Sequence, residues 1–238
     1  MSLIIAGHRG VAGTHPENTL CSIQEAKHLG LAWVEVDIQP TRDGILVVCH
    51  DHTVERCSNG YGRVDELTLS ELKQLDFGSW KGPEFTGEKV LTLDELLTYC
   101  HDNTLHINLE VKVDTHDVQY VVKLLAEALS KSPIDRNLLL ISSFSREVML
   151  TLHSARLGVK LGVLGNRLNQ KVLKTIQEVD TYSCHLNYRW LTKKHIRWLR
   201  EREVEIWCYT VNNPKSFRHL AEVDAIFSDY PQRFMDHA

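Results

Sequence analysis

Short apolar runs alternate with amphipathic stretches along almost the whole chain, and this alternation most limits the folds open to it. Strands are expected at residues 3–6, 33–38, 45–49, 106–113, 138–141, 159–163, 182–185, 204–209 and 225–227. Helical spacing falls between them, at 19–29, 118–129, 145–155, 170–178, 193–202 and 214–221. Strands joined through helices pair in parallel, with the helices covering the sheet. About eight such units in a chain of this length predict an α/β fold of the closed (β/α)8 TIM-barrel kind. A doubly wound open sheet is the competing arrangement. It normally carries a glycine-rich phosphate loop after an early strand, and neither GxGxxG nor GxxxxGK[ST] occurs.

One stretch breaks the rhythm. Residues 53–92 are rich in turn formers, including Asn59-Gly60, Gly62, Gly78-Ser79-Trp80 and Gly82-Pro83. That is too long for an ordinary barrel loop. It reads as a small subdomain inserted after the second strand region, over one mouth of a single barrel domain spanning 1–238. Tyr61, Leu67, Leu72, Leu75, Phe77, Trp80 and Phe85 give it side chains to bury.

Lys and Arg number 27 against 31 Asp and Glu, a formal net charge of −4. Nucleic acid is therefore not an expected partner, because it needs a concentrated positive surface. No apolar run approaches the ~18 residues of a membrane helix. Residues 1–7 offer neither a basic leader nor an apolar stretch of signal-peptide length. The 6 cysteines are scattered with no CxxC pair, as befits small buried side chains in a reducing compartment. A cytoplasmic enzyme is expected, with no stable membrane insertion and with homo-oligomers left open.

The chemistry begins at Glu35-Val36-Asp37. Residues two apart on a strand share a face, so Val34, Val36 and Ile38 face the helices of a barrel while Glu35 and Asp37 point inward. Glu110-Val111-Lys112 repeats the figure. Three inward carboxylates are costly unless a cation or a proton neutralises them, and oxygen-only ligation suits one Mg²⁺ or Ca²⁺. The bland alternative, surface salt bridges to Arg9 and Lys112, fits poorly with two acidic pairs embedded in β-branched strands. His8-Arg9-Gly10 follows the first strand and His50-Asp51 ends the run at 45–49, at the rim where barrels keep their reactive groups. Two histidines flanking a metal suit general acid and base work, since an unperturbed imidazole titrates near pH ~6.5. The remaining histidines, among them His28, His101, His116, His153, His195, His219 and His237, read mostly as solvated surface groups; His52 is near enough to the site to stay open. With a divalent cation, Arg9 and Lys112 set against the three carboxylates, one positive charge remains, which a phosphodiester monoanion would neutralise.

These residues together resemble the glycerophosphodiester phosphodiesterase family over nearly the whole chain. His8-Arg9-Gly10 with Pro16-Glu17-Asn18-Thr19 is similar to its opening HRG…PENT signature, and Glu35-Val36-Asp37, Thr41, Asp43-Gly44 and His50-Asp51 to its ExD…T.DG…HD block. Thr53, Arg56 and Gly62 continue that block into the insert. Asn108-Leu109-Glu110-Val111-Lys112, Ser143-Phe144, Thr210-Val211-Asn212 and Ser228-Asp229-Tyr230-Pro231 resemble its later motifs. The resemblance implies a TIM barrel and metal-dependent hydrolysis of glycerophosphodiesters to sn-glycerol 3-phosphate and an alcohol such as choline or ethanolamine. It implies a cation at Glu35, Asp37 and Glu110, acid and base roles for His8 and His50, and a phosphate held by Arg9 and Lys112. Glu17 and Asn18 would support the substrate site, and the insert would help define a glycerol pocket. It further implies that the glycerol 2-hydroxyl attacks first, giving a cyclic phosphate that water opens. Phe144 falls in a family motif, and Tyr209 stands where the family often has Trp, which bears on the wall contacting the substrate and on the alcohol preferred. Leu91, Ala225 and Ser228 are further departures, none at a histidine or a metal position. Competing readings are a related barrel phospholipase, phospholipase C-like or lysophospholipase D-like, and a non-catalytic phosphate-binding module. The first would want an apolar rim, for which the insert offers only Trp80 and Phe85. The second would have lost a histidine or a metal ligand, and none is lost.

Overall fold

The computed structural model describes residues 3–237, so Met1 and Ser2 of the N-terminal reading lie outside it, as does the side chain of His237. Eight strands run parallel around a closed (β/α)8 TIM barrel: β1 (Ile4–His8), β2 (Trp33–Pro40), β5 (His106–Val111), β6 (Leu139–Ser143), β7 (Lys160–Gly165), β8 (Thr181–Asn187), β9 (Glu205–Tyr209) and β10 (Ala225–Ser228). Closure comes from β1, which pairs with β10 on one side (Ile4 opposite Ala225) and β2 on the other (His8 opposite Glu35).

Helices follow the strands: α1 (Leu20–His28), α3 (Leu93–Asn103), α4 (Val118–Lys131), α5 (Arg146–Ala155), α6 (Gln170–Glu178) and α7 (Lys193–Arg200), with the short α2 (Leu69–Leu72) inside the insert. Each begins at a residue whose side chain accepts from a first-turn N–H, such as Thr92, Ser145 and Asn169. Such caps are each worth about 1 kcal/mol. Residues 214–221 do not form the expected helix. They make two 3-10 turns, Pro214–Ser216 and Leu220–Glu222. The Asn213 side chain accepts from Lys215 N–H and the Ser216 hydroxyl donates to the Asn213 carbonyl, a local bonding pattern that competes with a helix. His219, read as a surface group, is buried there at 4% exposure, its Nδ1 paired with Glu222.

The run at 45–49 forms β3 (Leu46–Val48), which is not a barrel strand. It returns antiparallel along the overhang of β2, with Ile38 opposite Val48, and β4 (Leu91–Thr92) pairs antiparallel to it. The connection from Pro40 to Leu46 is too short for a parallel crossover, so a hairpin is the only geometry available. Between β3 and β4 the chain builds its own cluster from Val47, Cys49, Val54, Val64, Leu72, Phe77 and Val90. Tyr61 does not join it and is 84% exposed, because residues 59–62 are the tip of a loop closed by a Thr53–Arg63 bridge. Trp80 stays partly exposed, while Phe85 is half-buried against His15.

Strand parity sets the two cores. Val34, Val36 and Ile38 of β2 and Ile107, Leu109 and Val111 of β5 face the helices. Ala6, Trp33, Leu140, Trp207, Ala225 and Phe227 fill the lower lumen, where Trp33 and Trp207 meet edge to face at 5.0 Å. This apolar plug closes the barrel from below and leaves the polar inward positions at the C-terminal rim.

Candidate active site

Above the plug lies a cavity of about 230 Å³ lined by His8, Arg9, Glu35, His50, Asn108, Glu110, Lys112, Phe144, Leu164, His185, Tyr209, Thr210 and Phe227. A larger groove of about 520 Å³ between α4 and α5 carries Lys123 as its one titratable lining group and no chemistry comparable to this. Asp37 stands directly opposite Glu110 in the β2–β5 register. Glu35, Asp37 and Glu110 bring carboxylate oxygens within 4.8 Å of one another, at 4%, 1% and 9% exposure. Lys112 Nζ donates to Glu110 at 2.9 Å and lies 3.5 Å from Asp37, and Arg9 Nε lies 3.3 Å from Asp37. Burial, then the charge of Asp37, pushes the Glu35 carboxyl up to about 8 and also raises Glu110. Burial opposes ionisation of Asp37 too, but Arg9 and Lys112 outweigh it and hold that group low.

Backbone conformation aims the first segment. Arg9 and Gly10 are both left-handed (φ 53° and 83°), which turns the Arg9 N–H onto Glu35 at 3.1 Å. A Cβ at Gly10 would lie 2.3 Å from the Ser22 hydroxyl, so only glycine fits. Asn18, left-handed at φ 61°, donates to Asp37 at 3.0 Å. Glu17 takes Arg9 Nη1 at 2.7 Å. Glu17 and Asn18 therefore stand behind Arg9 and Asp37 and do not line the cavity.

The two histidines reach the same mouth by different routes. His8 ends β1, whereas His50 arrives on the return of β3, placed by the Cys49 N–H bond to the Asp37 carbonyl at 3.0 Å. Each has its Nδ1 tied to a carboxylate at 2.6 Å, His8 to Asp229 and His50 to Asp51. Nε2 of each ring is left without a hydrogen-bond partner among the described residues, that of His8 lying 3.8 Å from Glu35. Burial disfavours the His8 imidazolium, but Glu35 and Asp229 outweigh it and raise its pKa. Burial lowers that of His50, with Arg9 and Lys112 offsetting the attraction of Asp37. Phe144 and Tyr209 form an edge-to-face pair at 6.0 Å, and the Tyr209 hydroxyl is spent on the Gly165 carbonyl at 3.0 Å. His52 bonds Gln39 and is not among the cavity residues.

Several residues that sequence reasoning left without a role belong to this site. Asn212 donates to Asp229 Oδ2 at 2.7 Å and accepts the Asp229 N–H at 2.8 Å, so the two closing motifs form a brace behind His8. The signal was their position just after β9 and β10, at the reactive rim. His185 lies in the floor, fully buried, stacked on Trp207, bonded to Ser183 at 2.8 Å and pushed by burial to about 3. Burial thus favours its neutral form.

The model of the glycerophosphoryl diester phosphodiesterase family matches residues 8–233. The chain is 29% identical over 238 residues to a glycerophosphodiester phosphodiesterase of Caldanaerobacter subterraneus subsp. tengcongensis, covering 99% of this chain and 98% of that one. A glycerophosphodiester phosphodiesterase of Bacillus subtilis is 28% identical over 98% of this chain and 85% of its own. Among solved structures, an Oleispira antarctica phosphodiesterase in complex with the product sn-glycerol-3-phosphate superposes with a TM-score of 0.91 at 28% identity, covering 98% of this chain and 95% of that one.

Proposed function

The chain belongs to the glycerophosphoryl diester phosphodiesterase family, and from that premise we propose that it hydrolyses glycerophosphodiesters to sn-glycerol 3-phosphate and an alcohol, with one divalent cation at Glu35, Asp37 and Glu110. The observation that carries the reading is the pair of carboxylate-braced histidines at one mouth, beside Arg9, Lys112 and the acidic cluster. Displacement at phosphorus runs in line, so a proton must be taken on one side and given on the other. As the glycerol 2-hydroxyl oxygen bonds to phosphorus, one histidine takes its proton. The other protonates the alcohol oxygen as that P–O bond breaks. Water then opens the cyclic phosphate with the two roles exchanged. Arg9 and Lys112 bind the non-bridging oxygens. The cavity, at about 230 Å³, is of a size that a glycerophosphoryl group would fill.

The carboxylate cluster fits a hard divalent ion on its donor chemistry. The ligand atoms that three buried side chains bring together there are all carboxylate oxygens, and only two cationic side chains, Arg9 and Lys112, stand against the three carboxylates. Bound there, Mg²⁺ or Ca²⁺ supplies further positive charge to the phosphoryl oxygens. Free thiols at Cys21, Cys49, Cys57, Cys100, Cys184 and Cys208 support a reducing, cytoplasmic setting, and among the described residues no helix is long and apolar enough to cross a membrane. The insert, with its own small core, is taken as part of a single barrel domain. The test is glycerol 3-phosphate release from a panel of glycerophosphodiesters, after chelation and with each ion added back. Release that survives complete removal of the metal defeats the metal assignment; no release from any member of the panel defeats the reaction.

A further inference from the structure

Arg56 sits in the insert, outside the cavity lining, with its side chain 45% exposed. An arginine so placed is ordinarily a weak surface ion pair. Here, however, all three guanidinium nitrogens are engaged, on two carboxylates from different parts of the chain. Nη1 and Nη2 fork onto Glu17 at 2.8 Å each, and Nε donates to Asp51 at 2.5 Å. Those carboxylates are the same ones that hold the reactive groups: Glu17 accepts Arg9 Nη1 at 2.7 Å, and Asp51 holds His50 Nδ1 at 2.6 Å. One continuous chain of charged bonds thus runs His50–Asp51–Arg56–Glu17–Arg9. We propose that Arg56 is a positioning residue that locks the His50 half of the site to the Arg9 half, making the insert part of the catalytic frame and not only its cover.

The insert is docked independently of this fork. Lys81 Nζ donates to the Ala12 carbonyl at 2.6 Å, and Phe85 packs on His15 at 5.1 Å. Losing Arg56 therefore releases Asp51 and Glu17 without undocking the insert, which separates positioning from a purely structural role. The planar fork also matters, because a lysine ammonium is a single point charge and cannot make the two-nitrogen fork onto Glu17 together with the bond to Asp51.

The inference rests on the proposed acid/base role of His50, and its test is arranged to stand apart from that reading. His50 is faced by Asp51 on its own loop, Asp37 on β2, Arg9 after β1 and Lys112 after β5. Without the Arg56 charge, Asp51 acts on the imidazole undiluted and favours its charged form. In Arg56→Gln of the full chain, the ring ¹H–¹⁵N titration of His50 should move to higher pH, and the corresponding limb of the kcat profile should move with it. kcat should fall about 10–100-fold, the usual cost of losing a residue that orients a reactive one, with KM little changed. Arg56→Lys should recover only part of that loss. Lys81→Met should leave the His50 titration in place. In an Asp51→Asn background, Arg56→Gln should cost little more, because the two act through one bond. An unmoved His50 titration, or the same kcat loss from Arg56→Gln with and without Asp51, overturns the proposal. If the wild type cleaves no glycerophosphodiester the reaction is wrong, yet the ring titration still decides what Arg56 does.

Discussion

Cation binding at the acidic cluster should expel a proton, and the amount follows from Glu35. Burial and the neighbouring Asp37 hold its carboxyl up at about 8. At pH 7 the free protein therefore carries that proton for most of the time, while a carboxylate ligand must be ionised. Occupancy by Mg²⁺ or Ca²⁺ should release close to one proton per ion at pH 7 and almost none at pH 9. Apparent affinity should weaken about tenfold for each pH unit below 8, about a hundredfold between pH 9 and pH 6. Titration calorimetry in two buffers of different ionisation enthalpy reads the proton count directly. Stability carries the opposite sign in the metal-free protein. Between the ordinary carboxyl value of 4.5 and about 8, the folded state binds more protons than the unfolded chain, so metal-free stability should fall as pH rises through that window. Saturating cation should remove that fall. Heats at pH 7 that do not depend on the buffer would refute the reasoning, and Glu35→Gln should abolish the proton release along with most of the affinity.

Glu110→Gln should weaken cation binding sharply while circular dichroism shows an intact barrel, since it removes charge but little volume. His8→Ala and His50→Ala should each lower kcat by about 10²–10⁴, and a p-nitrophenyl leaving group should rescue only the variant that lacks the acid; equal rescue of both, or of neither, contradicts the division of labour. Asn212→Ala, which strips Asp229 of two bonds, should reproduce a weaker form of the His8→Ala profile and leave the His50 ring titration where it is. Glu17 is held below its ordinary range, burial being outweighed by the Arg56 and Arg9 bonds, so its share of stability is full above the unfolded value of 4.5 and lost as pH falls through the lower folded value; Glu17→Gln should flatten that acid limb in a thermal-melt series.

Parity made much of this molecule readable. Period-two alternation in residues 33–38 and 106–112 needs only local sterics to say which side chains share a face, and a barrel then leaves no choice about which face is the lumen. Glu35, Asp37, Glu110 and Lys112 converge for that reason. Runs of apolar residues, by contrast, do not say what a strand pairs with. The run at 45–49 has the composition of a barrel strand, and only the short link from Pro40 reveals that it must fold back. Residues 214–221 mislead in the other direction, because side-chain bonds to the backbone at Asn213 and Ser216 compete with the helix that the spacing suggests. The braces were the least legible part. Nothing local in Asp229 points to His8, which lies 221 residues away in sequence and becomes a neighbour only when β10 closes on β1.

That closure gives the two histidines unequal foundations. His50 and Asp51 are adjacent in the chain, and the hairpin that carries them forms from residues close in sequence, so their geometry is set by local folding and then stiffened by Arg56. His8 depends on the longest-range pairing in the barrel, and its brace is complete only when Asn212 after β9 and Asp229 after β10 have both arrived. Loop closure over such a span is entropically expensive and its contacts form cooperatively with the rest of the sheet. A perturbation of the β1–β10 seam should therefore reach catalysis through His8 before it unfolds the barrel, whereas damage to the insert should reach it through His50. The two histidines are placed by opposite ends of the fold, and the relative alignment that the proposed in-line displacement requires is then a property of the closed barrel as a whole.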